Sequence, residues 1–424
     1  MKQVLWVVFA GFCFAVSGQE ILTLQECLNR VENNTLQIAS ESASLRASHL
    51  DRTFHWWSLL PDLSANTGFT TSFGRRLDPF TNTFATSSVN SQSFGLNSGI
   101  TLFNGLNYFH KRKVFASSIR LDEIQLESRK NELKTEVAAL YVLLCQLSSQ
   151  LQLADVRIEK YIQLQRLQLL LLHEGRITEI DTLKTRNGLL EARVVKRDLS
   201  GELKRKVLQL NFLIGMPLST AYSFDPASIS AVFDKLKLTE SFALEILAVE
   251  SGLVADQFKS DRTKLLPTLS LSGLLGTGFS TNNKDYLFPG NPTKPYRDQL
   301  NQNLYEGIGL YLSVPLFNRG AWFKSKQLNV IRQEEISLQQ QLTTFSLEKQ
   351  QAELFQKRLD YTAKLDHIRE SAQNLEAIYS MTLLLYAEGR ASYTEIETAL
   401  MEWQQKMAEW EALRLELELV KLWE

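Results

Sequence analysis

The sequence predicts a mixed, mainly α fold: a two-fold internal repeat of long coiled-coil helices, with four β-strands per chain. Three observations predict this fold. Short motifs occur twice in the same order at nearly constant separation, two very long stretches lack glycine and proline, and four short segments alternate apolar and polar residues. Two copies of one supersecondary unit indicate a symmetric, extended molecule rather than a globular enzyme with a single site.

The first residues have the pattern of an export signal. Lys2 precedes an apolar run from Val4 to Val16, and Val16-Ser17-Gly18 supplies the small residues that a signal peptidase needs. We therefore predict a signal peptide at 1–18. The alternative is an N-terminal membrane anchor, but the run is too short to cross about 30 Å of hydrocarbon.

The rest of the chain divides into repeat 1 at 19–220 and repeat 2 at 221–424. Each repeat reads as a helix, two strands joined by a loop, a very long helix, a tip and a returning helix. The repeated motifs are Leu59-Leu60-Pro61-Asp62-Leu63-Ser64 with Leu265-Leu266-Pro267-Thr268-Leu269-Ser270, Leu102-Phe103-Asn104-Gly105 with Leu316-Phe317-Asn318-Arg319-Gly320, and Glu174-Gly175-Arg176 with Glu388-Gly389-Arg390.

The first helix of each repeat is the shorter one. Thr23 and Glu26 have the spacing of a capping box, in which the hydroxyl accepts from a helical amide and the glutamate reaches back. The helix that they begin is predicted to end near Trp57, before a proline. Its second copy covers about 239–264.

The long helices follow the second strand of each repeat. Neither glycine nor proline occurs from Leu106 to Glu174 or from Ala321 to Glu388, so each stretch predicts a helix of about 100 Å at 1.5 Å per residue. Gln165 and Gln168 interrupt the first seam, which is predicted to weaken or shift near its tip. Steps of three and four that predict coiled-coil seams join Leu133, Val137, Leu140, Leu144, Leu147 and Leu151, and Ile368, Ala372, Leu375, Tyr379, Thr382 and Tyr386.

The four predicted strands lie at about 62–74, 92–103, 268–280 and 305–317. Each is apolar on one face, with Leu102 predicted to share the face of Ile100. This alternation is typical of a membrane β-barrel, and a soluble half-buried sheet alternates in the same way. The export signal and the matched set of four favour the barrel. Because four strands cannot close a barrel, several chains would have to contribute to it.

Composition excludes some partners. The formal net charge of −1 argues against nucleic acid. After the signal, no run of eighteen consecutive apolar residues occurs, so we expect no transmembrane helix. Cys27 and Cys145 are compatible either with buried small residues or with a disulfide.

The twin strand motifs, together with Glu174-Gly175-Arg176 and Tyr386-Ala387-Glu388-Gly389-Arg390, resemble those of the TolC-like family of outer-membrane efflux ducts, over nearly the whole mature chain. The resemblance implies a homotrimer whose 12-stranded β-barrel is continued by an α-helical periplasmic tunnel. It implies the outer membrane of a Gram-negative bacterium, with contact to its lipid. It also implies a periplasmic adaptor and an inner-membrane pump as partners, in efflux or type I secretion.

The resemblance also assigns roles at the tips. The helical-tip residues that would dock the adaptor are Gly175, Arg176, Gly389 and Arg390. The residues that would line or gate the periplasmic entrance are Glu395, Asp181, Tyr386 and Arg390. The chain departs from the family where a second acidic residue is expected, at Thr398, and where an arginine is expected, at Ala391.

No catalytic or metal-binding pattern occurs in the sequence. We therefore expect neither enzyme activity nor a cofactor. The alternative to a duct is a soluble periplasmic coiled-coil adaptor or scaffold whose strands form a small sheet. That class predicts one helical hairpin and longer β-rich modules, whereas this chain has two hairpins and four strands.

Overall fold

The computed structural model describes residues 20–34, 36–78, 80–85, 88–232 and 236–423. The predicted signal peptide at 1–18 lies outside these residues. Helices make up most of the described chain, as the sequence predicts. In order they are α1 Leu24–Asn34, α2 Leu36–Phe54, α3 Asn107–His173, α4 Glu179–Leu213, α5 Ala227–Ser230, α6 Thr239–Arg262, α7 Tyr296–Gln302, α8 Ala321–Ala387 and α9 Tyr393–Lys421.

The strands form one main sheet and two small ones. They are β1 Glu20–Leu22, β2 Asp62–Ser72, β3 Arg76–Leu77, β4 Phe84–Ala85, β5 Val89–Phe103, β6 Tyr222–Phe224, β7 Thr268–Ser280 and β8 Tyr305–Ser313. The main sheet is antiparallel in the order β2-β5-β7-β8, so β2 and β8 are its two edges. β1 pairs in parallel with β6, and β3 forms a hairpin with β4.

Two details of the strands differ from the sequence prediction. β8 ends at Ser313, because Pro315 has no backbone N–H to donate to a ladder. In β5, a register shift between Thr101 and Phe103 places Phe103 opposite Leu269. The β-bulge inserts Leu102 as an extra residue, so Phe103 takes the position opposite Leu269 on the apolar face, where the regular alternation predicted Leu102.

The pairing register separates the two faces of the main sheet. Small and polar residues share one face: Ser64, Asn66, Gly68, Ser91, Ser93, Gly95, Asn97, Ser270, Ser272, Gly276, Gly278, Gly307 and Gly309. Leu274, Tyr305 and Tyr311 also lie on that face. Apolar residues predominate on the other face, which also carries Gln92 and Glu306: Leu63, Ala65, Phe69, Phe94, Leu96, Ile100, Leu271, Leu275, Phe279, Ile308, Leu310 and Leu312. Many apolar-face side chains are exposed, including Leu63 at 70% and Ile308 at 86%.

The start of the chain follows the predicted cap. The Glu26 amide donates to Thr23 Oγ1 at 3.3 Å, and the Thr23 amide donates to Glu26 Oε2 at 3.1 Å. The helix that follows is described as α1 up to Asn34 and as α2 from Leu36, and residue 35 between them lies outside the described residues. One 3₁₀ turn, His55–Leu59, leads from α2 toward β2, and a second, Thr263–Leu265, leads from α6 toward β7.

The chain forms two compact units. The first comprises Met1–Ser42, Ile124–Leu244 and Leu342–Glu424, and the second comprises Ala43–Glu123 and Glu245–Gln341. The first unit has one apolar core that joins α1, the middle of α3, the end of α4 and the end of α9, and another near the helical tips. Cys27 and Cys145 lie buried in the first of these cores as free thiols.

By length and composition alone, one helix of the described residues, α3, could cross a membrane. No transmembrane helix was expected from the sequence, because no run of eighteen consecutive apolar residues follows the predicted signal. Half of the most apolar part of α3 is buried inside the protein. Such burial is the behaviour of a core helix, and the residues Val137, Leu144 and Cys145 of α3 accordingly belong to the first core.

Candidate functional site

The two helical tips have the same backbone geometry. α3 ends where the Arg176 amide donates to Leu171 O at 2.9 Å and the Gly175 amide donates to Leu172 O at 3.0 Å. At the second tip the corresponding donors are the amides of Arg390 and Gly389, at 2.8 and 2.9 Å. This is the Schellman arrangement, which needs a left-handed residue, and the φ angles of Gly175 and Gly389 are +71° and +76°.

An arginine follows each tip glycine. The Arg176 guanidinium lies 3.5 Å from the Glu174 carboxylate, and the Arg390 guanidinium lies 3.4 Å from that of Glu388. A Cβ placed on Gly389 would lie 3.6 Å from a guanidinium nitrogen of Arg176, so the two tips meet in the first unit. Both arginines are exposed. The structure therefore presents two cationic side chains, each beside its own carboxylate.

Glu395 closes a capping box at the start of α9. Its carboxylate accepts from the Ser392 amide at 2.6 Å and from the Ser392 hydroxyl at 3.0 Å, and its own amide donates to Ser392 Oγ at 3.3 Å. The Ser392 amide and hydroxyl lower the pKa of this fully exposed carboxyl. Glu395 thus caps the start of α9, independently of any role of its charge at an entrance. Thr398, at the second expected acidic position, is also exposed.

Asp181 occupies the corresponding first turn of α4. Its carboxylate accepts from the Thr178 hydroxyl at 3.0 Å and lies 4.0 Å from the Lys184 ammonium. The Asp181 charge also contributes to raising the pKa of Tyr386, after the larger effect of burial. Asp181 and Tyr386 both lie at the helical tips of the first unit.

Tyr386 is buried rather than free at the surface, with 3% of its side chain exposed. Its hydroxyl accepts a hydrogen bond from Gln168 Nε2 at 3.0 Å, which connects α8 to α3. Arg390, which follows the same tip, is instead paired with Glu388. The hydroxyl partner of Tyr386 is therefore a neutral amide of the first hairpin.

Gln168 is the site residue that sequence reasoning missed. It is fully buried, and the buried seam runs through Tyr161, Leu164, Gln168 and Leu171. The predicted seam also contained Gln168, but it passed through Gln165 and Leu172 in place of Leu164 and Leu171. The seam therefore shifts near the tip and does not end there. The sequence did contain one signal for this role. Gln168 is a polar residue at a position of the coiled-coil seam, and a buried polar residue needs a hydrogen-bond partner.

An aromatic cluster lies beneath the tips. Tyr379 and Trp403 stack with ring centroids 6.4 Å apart, and Tyr161 and Tyr393 are buried beside them. Gly188 of α4 allows this packing, because a Cβ there would lie 2.7 to 2.9 Å from the Tyr161 ring. The cluster joins both hairpins within the first unit.

Within the described ranges, no group of three or more His, Cys, Asp or Glu side chains could hold a metal ion. The charged residues of the tips are engaged in caps and short-range ion pairs. The arrangement is suited to holding two hairpins together through one buried hydrogen bond and a set of packed rings. It presents exposed charge at the turns.

No family model matches the chain, and no curated protein matches it by sequence. Solved structures do. CusC, described as forming a transmembrane channel, matches with a TM-score of 0.75 at 15% identity, over 96% of this chain and 92% of CusC. The Campylobacter jejuni outer membrane channel CmeC gives 0.72 at 15%, over 94% and 84%, and the Vibrio cholerae outer membrane protein VceC gives 0.71 at 13%, over 94% and 95%. At these identities the likeness establishes the fold, and this chain folds as these outer-membrane channel proteins do.

Proposed function

We propose that the chain is an outer-membrane channel, the passive exit duct of a tripartite efflux or type I secretion system. It would lie in the outer membrane of a Gram-negative bacterium, with its long helices in the periplasm. The observation that carries this proposal is the exposed apolar face of the main sheet. Leu63, Ile308 and Leu310 are 70%, 86% and 64% exposed there, and an apolar surface of this kind is stable in contact with lipid rather than water.

The edges of the sheet support assembly of several chains. β2 and β8 each have one side without a strand partner in the described chain. In lipid, every unpaired amide would cost several kcal/mol, on the order expected for a lost hydrogen bond in hydrocarbon. Pairing of β2 with β8 of a second copy removes this cost. A homotrimer would supply twelve strands in this way.

We further propose that the tips form the periplasmic entrance. Tyr386 and Asp181 would control its width, while the exposed carboxylate of Glu395 would favour cations at the constriction. The turns at Gly175 and Gly389, with Arg176 and Arg390 exposed beside them, would be the surface gripped by a periplasmic adaptor. An inner-membrane pump would supply the energy for transport through this passive duct.

The experiment that tests the proposal is native mass spectrometry of the mature protein purified in detergent. We expect a trimer, and we expect that trimer to conduct ions in a planar lipid bilayer. Recovery of folded monomer from the periplasmic fraction without detergent would contradict the duct and favour the coiled-coil adaptor or scaffold. A trimer that does not conduct would contradict the channel function while leaving the assembly intact.

A further inference from the structure

The two junctions at which a strand leads into a long helix have the same geometry in both repeats. The Asn107 amide donates to Asn104 O at 3.4 Å, and the Ala321 amide donates to Asn318 O at 3.1 Å. The two residues inside each turn have positive φ: Gly105 and Leu106 at +68° and +64°, and Arg319 and Gly320 at +54° and +73°. These tight left-handed turns start each helix directly at the end of its strand.

A pair of aromatic residues opens each long helix just after the turn. The rings of Tyr108 and Phe109 lie 5.3 Å apart, and those of Trp322 and Phe323 lie 5.0 Å apart, each in an edge-to-face arrangement. In both helices these are the second and third residues. Phe109 and Phe323 are 58% and 67% exposed. The exposure of Phe109 and Phe323 is therefore a repeated feature that packing within the described chain does not account for.

The 3₁₀ turn His55–Leu59 places two tryptophans near the junction between β5 and α3. His55 stacks on Tyr108 with ring centroids 4.6 Å apart, and its Nε2 donates to Tyr108 O at 3.1 Å. This contact holds the 3₁₀ turn that carries Trp56 and Trp57, whose side chains are 48% and 55% exposed. Amphipathic rings of this kind are enriched at the level of lipid headgroups.

Basic side chains accompany the aromatic pairs, and no acidic residue occurs in 103–113 or in 314–327. All of the basic side chains are exposed, and none makes an ion pair within the described part of the chain. They are Lys111, Arg112, Lys113, Arg319, Lys324 and Lys326.

Two lysines of the junction that leads from α6 into β7 differ in this respect. Near the start of β7, Lys259 lies 3.0 Å from Asp256, and Lys264 lies 2.8 Å from Asp261. Those lysines are neutralised by their own helix, whereas the strand-to-helix junctions keep their full positive charge. The charge at the strand-to-helix junctions is therefore available to an anion from outside the chain.

We propose that the first turns of α3 and α8 form a binding surface for anionic phospholipid headgroups. The six basic side chains contact lipid phosphates, and the aromatic pairs lie at headgroup depth and set the vertical position of the sheet in the membrane. This inference rests on the proposed function, because it needs the main sheet to lie in lipid. Basic residues at a membrane surface are attracted to anionic lipids by about 1 kcal/mol each, or about fivefold in affinity.

The experiment counts phospholipids bound to the detergent-purified protein by native mass spectrometry, in an equimolar mixture of phosphatidylglycerol and phosphatidylcholine. The test variant carries Lys111→Gln, Arg112→Gln and Lys113→Gln. Its matched control carries Lys204→Gln, Arg205→Gln and Lys206→Gln, which removes the same Lys-Arg-Lys sequence from α4, where no aromatic pair adjoins it. The wild type is expected to retain phosphatidylglycerol preferentially. That preference should fall by about fivefold or more in the test variant, and it should not change in the control.

Each alternative outcome is decisive. An equal loss in both variants, or no loss in either, would overturn the headgroup site. Loss of the trimer in the test variant alone would show that these side chains join subunits, and would also overturn it. If the test variant does not fold, the wild type decides, because a trimer without preference for phosphatidylglycerol contradicts the inference. A wild-type monomer would instead contradict the proposed function.

Discussion

The hydrogen bond between Gln168 and Tyr386 is a polar contact inside an otherwise apolar cluster. Both side chains are almost completely buried, so neither can exchange its partner for water. Gln168 Oε1 has no partner among the described residues, so the amide depends on this bond for its satisfaction. The bond also joins the first hairpin to the second, and a local change at Tyr386 therefore bears on how the tips are held.

We expect Tyr386→Phe to lower the free energy of unfolding by about 1–3 kcal/mol, because the amide of Gln168 would remain buried without an acceptor. If the tips form the entrance, the same variant should raise the conductance of the reconstituted channel. Tyr379→Phe is the matched control, since Tyr379 is equally buried and its hydroxyl makes no hydrogen bond within the described residues. Thermal unfolding and single-channel recording would measure both effects, and equal behaviour of the two variants would contradict the role of the bond.

Glu395 has two separable properties, its cap and its charge. Glu395→Gln keeps a side chain that can complete a capping box and removes the charge, whereas Glu395→Ala removes both. We expect both variants to change the cation sensitivity of the conductance, and the alanine variant alone to destabilise the start of α9. If the glutamine variant conducts as the wild type does, the carboxylate serves only the cap.

The pH dependence of this cap follows from its hydrogen bonds. Ser392 lowers the pKa of Glu395 in the folded protein below its unfolded value. The contribution of the carboxylate is therefore complete above the unfolded pKa, and it is lost as the pH falls through the folded pKa. In Glu395→Gln, this part of the acid dependence should be absent from a series of unfolding curves.

At the scale of elements, close packing of α3 on α4 depends on a residue without a side chain. Tyr161 is 1% exposed and its ring has no space into which to move, so the clash with a Cβ at Gly188 cannot be relieved cheaply. Glycine inside a helix normally costs about 0.5–1 kcal/mol relative to alanine. The presence of glycine at position 188 therefore indicates that close packing against Tyr161 contributes more stability than glycine costs inside the helix.

Gly188→Ala is expected to destabilise the protein by about 1–3 kcal/mol through overpacking against Tyr161. Gly201→Ala in the same helix is the control, because its Cβ would meet only the end of the Arg205 side chain at 3.5 Å. That variant should be neutral or stabilising by up to about 1 kcal/mol. Midpoints of thermal unfolding would compare them, and destabilisation of equal size in both would refute the packing argument.

At the scale of the whole molecule, residues distant in sequence share one core. Leu24 and Cys27 of α1 pack with Cys145 of α3 and with Leu415 near the end of α9. Burial raises the pKa of the Cys27 and Cys145 thiols to about 12. Both cysteines are therefore protonated and inaccessible unless this core opens.

We expect neither Cys27 nor Cys145 to react with a maleimide at pH 8 in the native protein, and both to react in guanidinium. Because the folded pKa values lie above the unfolded value of roughly 8.5, stability should also fall as the pH rises from that value toward 12. Mass spectrometry after timed labelling would test the first expectation. Rapid labelling of the native protein would show that the core is not closed around the thiols.

Much of the fold was accessible from the sequence because its signals are local. Glycine and proline are unfavourable inside helices, so their absence over two long stretches predicted α3 and α8. Alternation with a period of two predicted the strands of the main sheet within a few residues. The bulge at Leu102 was missed, because nothing in the alternating pattern of that strand shows where its partner slips by one residue.

The candidate site was accessible only in part. Gly175 and Gly389 could be predicted to lie at turns, since a glycine that ends a long helix supplies the left-handed conformation that a reversal of the chain needs. Gln168, Gly188 and the cap of Glu395 have roles that depend on which side chains face them. Gln168 and Tyr386 belong to different hairpins, so their contact depends on how the hairpins pack. Ser392 and Glu395 are close in sequence, but several local hydrogen bonds compete there and only the structure shows which one forms.

Repetition, helix breakers and alternation were thus sufficient to predict two matched hairpins of long helices and a four-stranded sheet. These features reflect steric and hydrogen-bonding limits that act within a few residues along the chain. Only the tertiary structure showed that Gln168 is the partner of Tyr386 and that Gly188 packs against the ring of Tyr161. Such features depend on side chains that come together from distant parts of the chain. A pattern along the sequence does not show which of these distant side chains are in contact.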